Sequence, residues 1–549
     1  MPLLVPMIDG HRRPHGPYTV GAALLTYLIP AAMERSHASV AAHDIEIRTA
    51  APGLADRVPA RRVTIDAGLS DDERILVPAP RRTLRVANGL AELFRRIVEP
   101  GGVLVVCNAD EADPTDAELL DVMMRRIPPH ILTIEVYSDG PEPPPDERGP
   151  AELWSLVERG TREGFLHAVA ELGERGLART TPGGRPWWRF AQRTATALGA
   201  LGRTEEARAL WDHVRRASLD PAVLAASAYG TAMLDARHPD PAGRDLGRAR
   251  GWINQAIAIS TLLPDPAERA FKLGFDLNGL ALVEVRQGRA QEALALVESA
   301  LDLAKELGEA HPQHRMVLLA NRGQLLARMG RVKEALDDYG AAIAIDPFFP
   351  DYYLDRGNLW FDLGRHAEAL ADYERAATVG PPMPEAYYNR AELRLATDDL
   401  PGALADLSYV IELDPGYLDA YVNRAGLLAG LGRDEEARSD VTFGLVLSPG
   451  HPHLLAVLGQ LETAAGRAEE AREAFDLAIA AAPGLASAWA NRAVLRYECG
   501  DPGGAVDDLT RAIDLEPEPD LYANRALALR ALGRVKEAEA DEERSTPSR

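Results

Sequence analysis

Lysine is almost missing from this chain of 549 residues, which holds only Lys272, Lys305, Lys333 and Lys536. None precedes Lys272. That excludes the phosphate-binding loop GxxxxGK[ST] from the N-terminal half, because the loop needs a lysine to reach the β- and γ-phosphates. Cysteine is as scarce: Cys107 and Cys499 lie far apart, so neither a disulfide framework nor a CxxC metal motif is available. No apolar run approaches the roughly 20 residues that cross a bilayer, and the longest near the N-terminus, residues 19–33, is broken by Thr26 and Pro30. The opening MPLLVPMIDGHRR has no basic segment ahead of its apolar residues and no small-residue cleavage site. No export signal is therefore expected, and the expected location is the cytoplasm. Basic charge is in deficit too, with 60 Lys and Arg against 83 Asp and Glu and a net charge of −23. That balance repels phosphate backbones, and without a basic cluster to offset it neither nucleic acid nor a membrane is expected as partner. Arg, Ala, Gly and Pro abound where lysine fails, a bias associated with GC-rich bacterial genomes.

What is present is a repeat. Pro347, Pro381, Pro415, Pro449, Pro483 and Pro517 recur at one constant interval, a period of 34. With units starting at Met316, Pro350, Pro384, Leu418, Pro452 and Ala486, position 8 is always small: Gly323, Gly357, Ala391, Ala425, Gly459 and Ala493. Position 20 is always alanine, and a seventh, slightly shorter unit carries Ala526 and Ala538 in the same two columns. That period with these columns resembles the tetratricopeptide repeat, TPR, which implies antiparallel helix pairs stacked into a right-handed superhelical solenoid. Small residues let the two helices approach, and the proline ends the second helix.

Position 7 reads Arg322, Arg356, Arg390, Arg424, Leu458, Arg492 and Arg525, and position 23 reads Asp338, Asp372, Asp406, Asp440, Ala474, Asp508 and Asp541. Both charges vanish in the same unit. A pair reaching into the next unit would stagger the gap by one repeat, so the joint loss predicts a structural ion pair inside each unit.

Residues 1–140 read as α/β, with an apolar stretch at 3–8, helices near 20–34 and 83–98, a strand at 102–106, a helix at 116–127 and a strand at 131–137. Strand, helix, strand in that order suggests a parallel sheet. The segment GGVLVVCNADEADPTDAELLDVMMRRI is similar to the Walker B region of the signal-transducing (STAND, AAA-like) NTPases, which place an ATPase domain ahead of helical repeats. Ala112, Asp113, Pro114, Arg125 and Arg126 carry the resemblance, whereas Cys107 and Asn108 stand where that family has its two acids. The implied module is degenerate, without a Mg²⁺-holding carboxylate and without nucleotide as cofactor. The run PEPPPDERGP, residues 141–150, reads as a stiff linker with few contacts, so the remainder is expected to fold without the head. Residues 151–315 continue as irregular repeats, in which Ala195, Gly202, Ala207 and Trp211, then Ala281, Gly288 and Ala293, fit the columns. Seven regular units fill 316–549, and the polar end RVKEAEADEERSTPSR serves as a cap.

No catalytic or metal motif emerges. His311, His314, His451 and His453 sit at prolines between repeats, and His11, His15 and His43 have no nucleophile beside them. The TPR resemblance implies that position 6 faces the concave groove, and there the chain has Asn321, Asn389, Asn423, Asn491 and Asn524. An asparagine ladder offers donors and acceptors to the backbone of an extended peptide. Tyr388, Glu385 and Asp419 join it at positions 5 and 2, and with Asp351 and Glu392 they favour a basic or neutral ligand over an acidic one. The expected function is a non-catalytic scaffold or adaptor for a peptide or partner protein, in a bacterial regulatory or biosynthetic complex. The alternatives are a nucleotide-dependent switch and an enzyme with an unrecognised N-terminal site.

Overall fold

A computed structural model describes residues 3–65 and 81–545. The last four residues of the expected cap, 546–549, lie outside them, as does the side chain of His15. By contacts the chain forms two compact units, Met1–Ala386 and Tyr387–Arg549.

The first unit opens with a three-stranded, all-parallel sheet in the order β1-β2-β3, formed by Ile8–Asp9, Gly102–Cys107 and Leu132–Val136. Ile8 pairs with Val106, and Gly102 with Leu132. Strand β2 is buried along nearly its whole length, as its unbroken apolar run GVLVVC requires. Helices Thr19–Arg35, Arg82–Ile97 and Pro114–Arg126 fall within a few residues of the sequence reading. Two short helices, His37–Ala42 and Asp44–Ala50, were not legible, since neither is long enough to display a period. Helix Thr19–Arg35 runs through Pro30.

Residues 138–149 have no regular secondary structure, but they are not the sparsely tethered linker the sequence suggested. Asn108 donates to the carbonyl of Pro141, Arg148 to that of Arg13, and Arg175 to the Asp146 carboxylate at 3.0 Å. The expectation of an independent head fails for a second reason. One hydrophobic core runs from Val5 and Leu104 of the α/β part through Phe165, Phe190 and Trp211 of the first helical repeats. Tyr18 meets Phe165 edge-on at 5.5 Å, and Glu163 accepts from both Arg82 and Thr49. Helix Pro150–Glu163 has thus buried its apolar stripe against the head, with Leu153 and Val157 wholly inside.

Helix pairs follow. Arg185–Ala200 with Thr204–Ala217, and Pro266–Arg286 with Ala290–Glu306, carry the fitted columns: Ala195, Ala207, Ala281 and Ala293 are buried, and Gly202 and Gly288 turn the chain at φ +78°. From Pro312 the pairs become regular, as Pro312–Arg328 with Val332–Ile345 and Pro350–Asp362 with His366–Val379. The second unit continues the pattern to Pro519–Ala531 with Val535–Ser545. Each of the six periodic prolines stands two residues beyond the last residue of a second helix, where a missing N–H costs no helical hydrogen bond.

The ion pairs lie inside the repeats. Arg322 holds Asp338 through Nε and Nη2, both at 2.7 Å, and the same fork recurs at Arg356–Asp372, Arg390–Asp406, Arg424–Asp440, Arg492–Asp508 and Arg525–Asp541. The third nitrogen adds a bond that the column pattern does not predict: Nη1 of Arg424, Arg492 and Arg525 donates back to Ser408, Asp476 and Thr510, all at position 25 of the preceding repeat. One guanidinium therefore ties its own helix pair and also fixes how that pair meets the one before it. Where the pair is lost, Ala474 is buried and Leu458 packs, partly buried, against an apolar cluster.

Candidate functional site

In the second unit the first helices Pro384–Ala396 and Leu418–Gly430 bring position 6 of one repeat against position 5 of another. Asn423 Nδ2 donates to the Tyr388 hydroxyl at 3.0 Å, and that hydroxyl donates to Glu392 Oε1 at 3.0 Å. Burial, then the charge on Glu392, then Asp419, raise the Tyr388 phenol, so it stays a neutral donor at any physiological pH. Tyr417 lies over the Tyr388 ring at 5.1 Å. The result is a half-buried strip of one amide, one phenol, one carboxylate and an aromatic face, with Asp419 exposed beside it. Asn389 and Asn491 are half-buried and Asn524 is exposed. Among the described residues no side chain or backbone group bonds the amides of Asn491 and Asn524, which leaves them to solvent or a ligand.

The remaining two residues of the ladder belong to the first unit and are engaged there. Asn321 Nδ2 donates to Asn278 Oδ1 at 2.9 Å, so the amide ladder begins earlier, on helix Pro266–Arg286. Counted from Ala281 at position 8, Asn278 stands at position 5, the column of Tyr388, so a reading confined to position 6 passed over it. Glu385 meets a cation from the head: its Oε2 is 3.5 Å from Nη2 of Arg85.

The Walker B-like residues are all used structurally. Cys107 is buried with its thiol toward the Ile8 carbonyl. Asn108, at φ +53°, donates to Asp9 Oδ1 at 2.8 Å and to the Pro141 carbonyl at 2.9 Å. Asp113 caps helix Pro114–Arg126, accepting from the Thr115 amide and hydroxyl. The start of helix Thr19–Arg35 has its Thr19 and Val20 amides taken by Asp116 at 2.7 and 2.9 Å. Burial pushes that carboxyl up to about 7. An internal carboxylate thus fills the spot where a helix N-terminus would hold an anion.

His11 accepts from the Arg13 amide, His43 bonds the Ser39 carbonyl, and His314 is buried edge-on to Phe271, its pKa pushed down to about 4 by that burial. Among the described residues no group of three His, Cys, Asp or Glu could hold a metal ion, and no helix is long and apolar enough to cross a membrane.

Tetratricopeptide repeat family models match residues 194–213, 276–347, 321–384, 443–486 and 491–548, so the chain carries TPR repeats over these stretches. No curated protein matches. Among solved structures the chain is similar to a tetratricopeptide repeat protein from Parabacteroides merdae ATCC 43184, at 23% identity over 46% of this chain and 93% of that one, with a TM-score of 0.34. YrrB, described as a TPR protein with an unusual peptide-binding site, is 23% identical over 34% and 94% of the two chains, with a TM-score of 0.29. Yeast Tom70 is 14% identical over 72% and 90%, with a TM-score of 0.35.

Proposed function

We propose that this protein is a non-catalytic adaptor that holds an extended segment of a peptide or partner protein against the first helices of residues 387–549. The observation that carries the reading is the strip of Tyr388, Glu392 and Asn423, continued by the amides of Asn491 and Asn524, which bond nothing among the described residues. Amides at repeat spacing meet the peptide groups of an extended chain, and the phenol faces supply the apolar contact. Glu392 and Asp419 favour a basic or neutral segment.

In this reading residues 1–140 are a degenerate NTPase-like module used for its shape. Against a nucleotide switch stands Asp116, which occupies the helix amides that a phosphate would need. The lysine-poor, arginine-rich composition supports a bacterial cytoplasmic setting, in a regulatory or biosynthetic complex. Selection of displayed peptides on the full chain tests the proposal. Recovered sequences should be extended and neutral or basic, and should fail to bind a chain carrying Asn389→Ala and Asn423→Ala; enrichment of acidic peptides, or equal binding to both chains, would remove the reading.

A further inference from the structure

Arg85 sits in the first turn of helix Arg82–Ile97 in the head, yet its guanidinium lies among acids of the repeat array that are remote from it in sequence. Its side chain is only 7% exposed, with Nη2 3.5 Å from Glu385 Oε2 and 3.9 Å from Asp351 Oδ1. Asp351 and Glu385 hold position 2 in successive repeats, and Asp355 stands one turn beyond Asp351 on the same helix. Burial pushes Asp351 up, with Arg85 opposing that shift, and burial followed by the Asp351 charge pushes Asp355 up to about 6. Two carboxyl groups thus share one cation, and the third, Asp355, faces the charge of Asp351.

That cation is poorly served. Arg85 Nε is buried without a hydrogen-bond partner among the described residues, and so is Glu385 Oε2. The next residue after Asp355 shows what a fitted guanidinium does in this fold: Arg356 grips Asp372 through two bonds of 2.8 and 2.7 Å. Parallel charge-assisted bonds of that kind are the strong ones, and Arg85 makes none. Its occupancy is sustained by tethering instead. Arg62 donates to the Gly380 carbonyl at 3.2 Å and the Ile65 amide to Asp346 Oδ2 at 3.0 Å, so the head is held on the two inter-repeat turns that flank the acids. Tethering raises the local concentration of Arg85 without improving its fit.

We propose that Asp351, Asp355 and Glu385 form a guanidinium subsite which the chain closes with its own Arg85, and which an arginine-bearing segment of a partner opens by displacing that side chain. This rests on the reading that partner segments lie along the first helices, and it adds what the ligand carries and what holds the subsite shut. A guanidinium free to form the two-bond fork has more to gain from Glu385 or Asp351 than Arg85 has. The closed state lowers apparent affinity by the fraction of molecules that are open.

The test is a fluorescence-anisotropy titration of the full chain with a labelled alanine–glycine nonapeptide bearing one central arginine, and the same peptide with glutamine there. Arg85→Ala and Arg85→Gln, each first shown by circular dichroism to keep the helical content, should bind the arginine peptide at least about tenfold tighter than the unaltered chain. The gain should be absent for the glutamine peptide and should vanish when Asp351→Asn and Glu385→Gln are added. Equal affinity in the unaltered chain and both Arg85 variants overturns the proposal, as does a gain that survives in the triple variant. Asn423→Ala in the same titration separates the two readings: a gain at Arg85 with no effect at Asn423 keeps the subsite and contradicts the strip at residues 387–549, and the reverse result does the opposite.

Discussion

Positions 8 and 24 of the first six regular repeats trade volume with one another. Where position 8 is glycine, at Gly323, Gly357 and Gly459, position 24 is Tyr339, Tyr373 and Phe475; where it is alanine, at Ala391, Ala425 and Ala493, position 24 is Leu407, Val441 and Leu509. The reason is contact: a Cβ added at Gly357 would come within 2.7 Å of the Tyr373 ring, and one at Gly459 within 2.5 Å of Phe475. Gly357→Ala should therefore destabilise by about 1–3 kcal/mol, and most of that should return when Tyr373→Leu is added. Urea unfolding of the four chains checks it, followed by two probes because a repeat array can melt in parts. The arginine–aspartate fork gives a second cycle. Asp440 is 4% exposed and Arg424 20%, so either single change strands a largely desolvated charge. The double change Arg424→Leu with Asp440→Ala should be milder than the sum of the singles by about 1–3 kcal/mol, since the repeat with Leu458 and Ala474 works with neither charge. Additive effects would contradict the pairing.

At the scale of the helix pair, the turn at position 15 is glycine in every regular unit but one, with φ between +69° and +84°. The exception is Asp398, held at φ +62°. An L-residue other than Asn or Asp pays roughly 1–2 kcal/mol there, and aspartate less. Asp398→Gly should raise stability by about 0.5–1 kcal/mol in thermal unfolding of the full chain. The helix pairs, their ends and the fork were all legible in the sequence, because seven copies in one chain report on each other: a column such as Ala335 to Ala505 repeats too often to be chance. The volume trade was not, although both columns are in the sequence, because only the geometry shows that position 24 faces position 8. Helices His37–Ala42 and Asp44–Ala50 were not, being single short elements with no second copy. Nor was Arg85, because its neighbours Asp351 and Glu385 come from a packing of head on repeats that no local pattern encodes. Of the candidate binding residues, the amides were readable from their spacing, whereas the Tyr388 hydroxyl that joins Asn423 to Glu392 depends on one helix leaning against another.

For the whole of the first unit, continuity of the core from Val5 to Trp211 reverses the expectation raised by the proline run. Removing residues 1–140 should leave Leu153, Val157 and Phe165 exposed, and the remainder should aggregate or bind a hydrophobic dye instead of staying soluble and folded. Buried carboxyls also give this unit a pH dependence. Asp276, bonded to Ser260 at 2.7 Å, is pushed up to about 7 by burial. A carboxyl raised in the fold stays neutral there while the unfolded chain already ionises, so stability is greatest below the unfolded value and falls as pH rises toward 7. Asp276→Asn should flatten part of the fall in thermal midpoint between about pH 4.5 and 7.5.

Whether the first-helix strip of residues 387–549 grips an extended partner segment is decided by calorimetric titration. The full chain and the chain with Asn389→Ala and Asn423→Ala are each titrated with a peptide recovered by selection on the unaltered chain. The double change should weaken affinity at least about tenfold, close to 1.4 kcal/mol, with the thermal midpoint kept. Unaltered affinity in a folded double variant would contradict the strip as the binding surface.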